Sequence, residues 1–156
     1  MEKPIPKEEM DIFKTLIAEA LHKADPKIQF ELMGMYRRGE RLSLDIDIAV
    51  WHVSYVRADQ ERIAEDVMEL VKNALVAAGL MGSERVFQSG KKKCMFLTRV
   101  PQSHAHLLSS DEEGQVATLR ALEVRVCPVE SVPYFLLANT GDDMLMKVIR
   151  KAAKSR

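Results

Sequence analysis

Apolar residues recur at helical spacing near the start of the chain, at Phe13, Leu16, Ile17, Ala20 and Leu21. Pro6, Glu8 and Glu9 stand ahead of them, and proline and acids suit a first helical turn. The run stops at "ADP", 24–26. A second helical run, from Asp59 to Ala78, carries Ile63, Val67, Leu70, Val71, Ala74, Leu75 and Ala78 on one stripe, with Gly79 placed for a C-cap.

Between and after these helices the pattern changes to strand-like runs. "IQFELMG" (28–34) and "LSLDIDIAVWH" (42–52) read as two strands, and "ERVFQSG" (84–90) and "KKCMFLTRVP" (92–101) as two more joined by a tight turn. The polar stretch 102–117 reads as a surface loop, and "TLRALEVRVCP" (118–128) as the last strand. A short apolar helix near Val132–Leu137 and a longer one from Asp142 to Lys151 close the chain. The order α-β-β-α-β-β-β-α-α predicts an α+β fold: a mixed sheet of about five strands with helices packed on one face.

Composition narrows the function. The 156 residues are 47% hydrophobic and 29% charged, as in an ordinary globular domain. Basic and acidic residues both number 23, so the net charge is zero. A protein that grips long nucleic acid by electrostatics alone is usually basic, so any such role must come from a local patch or a missing domain. No N-terminal segment has the layout of a signal peptide, and no apolar run nears the ~20 residues of a membrane span. The expectation is an intracellular protein that does not act in a membrane. Cys94 and Cys127 sit in apolar runs and read as two reduced, buried thiols rather than a disulfide.

The chemistry concentrates in "GMYRRGERLSLDIDIAV", 34–50. In a strand, residues i and i+2 share a face, so Asp45 and Asp47 project together while Ile46 and Ile48 enter a core. Carboxylates roughly 6–7 Å apart, at ~3.3 Å rise per residue, can share a hard divalent cation such as Mg²⁺ or Mn²⁺. Mg²⁺ typically takes one or two carboxylates plus substrate phosphates. "LEVRV" offers Glu123 and Arg125 on one face, and Glu123 completes a three-carboxylate cluster if that strand neighbours the first. Upstream, Gly34 allows close backbone approach, and Arg37 and Arg38 supply forked donors for a triphosphate. A D-x-D by itself is weak, since strand-end aspartates often only pair with arginine. Its fixed distance from "G-x-Y-R-R-G" makes it informative.

Those residues carry a resemblance. "GMYRRGERLSLDID" resembles the G-S-F/Y-R-R-G-x-x-x-S-G-D-x-D motif of the family X DNA polymerases, of the polymerase beta type. "EKPIPKEEM" resembles the entry into that family's first palm helix. "SGKKKCMFLTRVP" resembles its middle strand pair, with an S-K-G-x-x-K pattern. "ALEVRVCPVESVPYFLLANTGDDMLMKVIR" resembles its final acidic strand and the start of the nucleotide-binding subdomain.

The resemblance implies a nucleotidyltransferase palm over 1–140, with 141–156 as the truncated start of the nucleotide-binding subdomain. Asp45 and Asp47 match the aspartates that hold both metals. Glu123 matches the third carboxylate, which holds the catalytic metal and accepts the primer hydroxyl proton. Gly34, Arg37, Arg38 and Ser43 match nucleotide-phosphate contacts. Gly141 and Asp143 match weaker nucleotide contacts, and Lys93, Arg125 and Arg150 match basic positions facing nucleic acid. Several positions depart from the pattern: Met35 replaces serine, Leu44 glycine, Glu123 aspartate, Ala138-Asn139 a tyrosine–phenylalanine pair, and Met146 an asparagine. The family's lyase domain, helix-hairpin-helix elements and most of its nucleotide-binding subdomain are expected to be absent. Nucleic-acid affinity of this domain alone is then expected to be weak.

Three functions follow. The first is metal-dependent nucleotidyl transfer to a nucleic-acid 3′ end, of DNA-repair type, from a nucleoside triphosphate. The second is a degenerate palm kept as a structural or assembly subunit among other protein subunits. The third is a small-molecule nucleotidyltransferase using the same D-x-D. Remaining features read more plainly. "GKKK" (90–93) fits a phosphate-facing patch or a solvated turn. His104 and His106 have H-x-H spacing without a nearby third ligand for zinc. Trp51 is expected to pack under the long helix rather than stack on a base. Met33, Met35, Met95, Met144 and Met146 are expected to fill gaps in the core.

Overall fold

A computed structural model describes residues 4–39, 41–82, 86–107 and 118–140. Helix α1, Lys7–Ala24, buries Met10, Phe13, Leu16, Ile17, Ala20 and Leu21, the stripe read from the sequence. Acids fill its first turn and His22 and Lys23 its last, complementing the helix dipole. Helix α3, Glu61–Ala77, presents Ala64, Val67, Met68, Val71, Ala74 and Leu75 to the same core. It ends as the sequence predicts. Gly79 takes φ +75°, its N–H bonds Val76 O and the Leu80 N–H bonds Leu75 O, the paired closure of a Schellman cap.

The main sheet has five strands: β2 Ile28–Leu32, β4 Ile46–His52, β5 Val86–Ser89, β6 Lys93–Thr98 and β7 Arg120–Val126. Their order is β2-β4-β7-β6-β5. Among the described residues only the β4–β7 contact is parallel, its connection running through α3, β5 and β6, and the other contacts are antiparallel. Alternation sorts the side chains. Ile46, Ile48, Val50, Leu122, Val124, Cys94 and Phe96 join the core under α1 and α3. Asp47, Glu123, Arg125 and Lys93 belong to the opposite face, as period two requires. The mixed sheet with the two long helices on one face is the expected α+β fold.

Several details differ from the sequence reading. Residues 42–52 are not one strand. Leu42–Ser43 forms β3, which pairs with Ile5–Pro6 (β1) in a separate two-stranded sheet, with Ile5 opposite Ser43. The chain changes partners at Leu44–Asp45, so it bends there before β4 begins. The first aspartate of the D-x-D therefore precedes the strand and is exposed. The strand at 28–34 stops at Leu32, because Gly34 takes φ +66° and opens a single helical turn, α2, Gly34–Arg37.

Trp51 does not lie under the long helix. Ile48 and Val50 take that side, so Trp51 faces the other way. There it packs with Met33, Ala49 and Cys127 against Val132, Phe135 and Leu136 of α4, Val132–Thr140. Cys94 and Cys127 are free and buried, each thiol raised by burial, Cys127 to about 11. Of the expected loop at 102–117, Gln102–Leu107 is a 3₁₀ turn and the rest lies outside the described residues, as does the helix expected from Asp142. No helix among the described residues is long and apolar enough to cross a membrane.

Candidate metal and nucleotide site

The parallel register of β4 and β7 sets Asp47 directly opposite Glu123. Parallel neighbours lie about 4.8 Å apart, so the two carboxyls stand side by side on the sheet face away from the two long helices, with Asp45 leading in from the bend. This is the neighbourhood the sequence required for Glu123 to join the pair. The three acids nevertheless stand in different environments.

Asp47 is mostly buried, and its Oδ1 has no hydrogen-bond partner among the described residues. Burial pushes its carboxyl up to about 6, with Glu123 and Asp45 adding to the rise while Arg125 and Lys93 oppose it. Glu123 is engaged. Its Oε1 accepts from Arg125 Nε at 3.0 Å and from Lys93 Nζ at 3.0 Å. Burial would raise this carboxyl, but those two partners outweigh it and hold it below its ordinary value. The strand registers explain the contacts. Arg125 is two residues along β7 on the same face as Glu123, and Lys93 stands opposite Arg125 on β6.

The glycine–arginine motif is anchored from behind. The Tyr36 hydroxyl donates to Asp11 Oδ1 at 2.5 Å, Lys14 lies 5.8 Å over the Tyr36 ring, and the phenol is raised to about 12 by burial and by Asp11. This fixes α2 against α1. The Met33 N–H bonds Asp47 O at 2.7 Å, tying the start of the motif to the strand that carries the carboxylate. Arg37 pairs with Glu31 at 3.5 Å on the exposed side, and Arg38 caps α2, also exposed. Ser43 is 2% exposed within the β1–β3 pair, closed off from solvent. Gly141, Asp143 and Arg150 lie outside the described residues.

Among the described residues, no three Asp, Glu, His or Cys side chains converge as a metal-holding group, His104 and His106 included. A hard divalent cation fits Asp45 and Asp47, with the unpartnered Oδ1 of Asp47 as a waiting oxygen donor, provided phosphate oxygens fill its other positions. Glu123 is held by cations instead. Sequence reasoning placed Glu123 and Arg125 on one strand face but did not show that Lys93 joins them, because the β6–β7 register leaves no mark in a single sequence. It also missed Tyr36 as the anchor of the motif, which a lone aromatic between glycine and arginine could have signalled.

A mixed sheet with two long helices packed on one face and acids on the other defines a palm, a nucleotidyltransferase-like α+β domain. Residues 4–128 match the family model of the DNA polymerase beta palm, and the chain belongs to that family. Nucleotide and nucleic-acid chemistry in general is the setting of such a palm.

Proposed function

We propose that this palm carries out metal-dependent nucleotidyl transfer, adding nucleotides from a triphosphate to a nucleic-acid 3′ end. The observation that carries the reading is Asp47: a buried carboxylate with an unpartnered oxygen, beside Asp45 and across from Glu123, in a polymerase beta palm. Nothing about folding favours a mostly buried acid with an unpartnered oxygen, since burial of charge costs several kcal/mol. A cation brought in with a triphosphate relieves that cost.

Asp45 and Asp47 would hold Mg²⁺ or Mn²⁺ with the triphosphate. Bound there, the ion supplies charge neutralisation on the phosphates and orientation of the transferring group. Arg37 and Arg38, on the turn tied to Asp47, would meet the phosphate tail. Glu123, kept ionised by its cationic neighbours, is the group to accept the proton of the attacking hydroxyl. Gly141 and Asp143 in 141–156 are proposed as further nucleotide contacts. Weak nucleic-acid affinity fits the zero net charge.

The test pairs calorimetry with primer extension. Triphosphate binding is expected to tighten with Mg²⁺ or Mn²⁺, and that tightening to be lost in Asp47→Asn. Primer extension in Mn²⁺ is expected to fail in Glu123→Gln while triphosphate binding is kept. Triphosphate binding indifferent to metal overturns the reading.

A second reading, a palm retained as an assembly subunit, draws on the engagement of Glu123 by Lys93 and Arg125 and on the changed positions Met35 and Leu44. Metal binding and extension both absent, with the fold intact, is its signature.

A further inference from the structure

Lys93 and Arg125 already hold an anion, and it belongs to the protein. Both bonds of 3.0 Å converge on one oxygen, Glu123 Oε1. The accessibilities are layered: the Lys93 and Arg125 side chains are 43% and 29% exposed, while that of Glu123 is 10% exposed beneath them. Solvent, and any ligand in it, therefore meets the two cations before the carboxylate they cover. Two cations within hydrogen-bonding distance of a single oxygen form a ready cradle for a phosphate, whose oxygens accept such bonds with more charge than a carboxylate offers.

We propose that Glu123 is an internal counter-ion which occupies a phosphate-binding pair, Lys93 and Arg125, and is displaced when a phosphate group takes its place. At rest the carboxylate shields the cations and is itself kept from Asp47. Once a phosphate engages Lys93 and Arg125, Glu123 is released on the same face, opposite Asp47. The substrate's own charge thus exposes the third carboxylate. That last step rests on the proposed nucleotidyl-transfer reading; the displacement itself needs no metal.

The cycle is measured on the whole chain in EDTA, by calorimetry with tripolyphosphate and, separately, with a single-stranded oligodeoxynucleotide. Glu123→Gln is expected to bind phosphate on the order of tenfold tighter than the parent, the scale of a charge-assisted hydrogen bond regained. Lys93→Gln alone is expected to weaken binding by about a few-fold, because the parent's Lys93 gives up Glu123 to gain the phosphate, whereas Lys93→Gln in the Glu123→Gln background abolishes the larger gain. A gain for tripolyphosphate alone assigns the pair to a triphosphate tail, and a gain for the oligonucleotide to a strand backbone. A general charge effect makes the two substitutions additive, and additivity overturns the proposal, as does a Glu123→Gln variant that binds neither ligand more tightly. Mn²⁺ titration separates this from the catalytic reading. Mn²⁺ affinity that becomes sensitive to Glu123→Gln only with tripolyphosphate present supports release toward Asp47. Loss of Asp47-dependent Mn²⁺ binding overturns the catalytic reading, while the metal-free cycle still decides the displacement.

Discussion

Asp47 and Glu123 face one another across the β4–β7 pairing, yet one carboxylate has an oxygen without a partner among the described residues and the other holds two cations on a single oxygen. Their carboxyl groups are accordingly moved in opposite directions, Asp47 up to about 6 and Glu123 down.

The Asp47 shift has a definite sign in stability. An acid whose folded value, about 6, lies above its unfolded 3.8 favours folding fully only below 3.8, and that contribution fades as pH rises through 6. At pH 7 to 8 the ionised form is a burden on the fold. Asp47→Asn is therefore expected to stabilise the apo protein by on the order of 1–2 kcal/mol at pH 8, with a smaller gain at pH 5. Urea unfolding of both proteins from pH 5 to 8 measures the difference. A destabilised Asp47→Asn shows instead that the carboxylate is structurally paired.

Glu9 and Arg120 test a different kind of ion pair. The guanidinium of Arg120 on β7 meets both carboxylate oxygens of Glu9 on α1, with Nη2 to Oε1 at 3.0 Å, and both side chains are nearly buried at 7% and 12% exposure. Glu9→Ala strands a buried cation and is expected to cost about 3 kcal/mol. Glu9→Leu combined with Arg120→Met is expected to recover most of it. A chemical-denaturation series on the three variants reads the effect.

Gly34 is required by backbone conformation rather than by space. Its φ is +66°, yet a Cβ at this position meets nothing within 4 Å. Gly34→Ala is expected to cost about 1 kcal/mol from left-handed strain alone, and Gly34→Asn less. Melting temperatures of both variants check the order.

Phe96 lies at 0% exposure in the core behind the site. Phe96→Ala is expected to cost about 3–5 kcal/mol by opening a cavity. Equilibrium denaturation of this variant decides it.

The sequence by itself determined the elements whose signal is local. The α1 and α3 stripes, the Gly79 cap, the inward Ile46 and Ile48, and the glycine–arginine–D-x-D motif were all legible because helix and strand periodicity and backbone chirality act over a few residues. The family followed from the same motif. Tertiary structure decided whatever depends on which strand lies beside which. The β1–β3 pairing broke the 42–52 run and left Asp45 at a bend. The α4 helix covered Trp51 on the face away from the long helix. The β4–β7–β6 register brought Glu123 and its strand neighbour Arg125 together with Asp47 and Lys93 from distant parts of the chain. A single sequence records the partners of such contacts but not their pairing, because register is fixed by burying the core on the other face, and the charges on this face follow where it puts them.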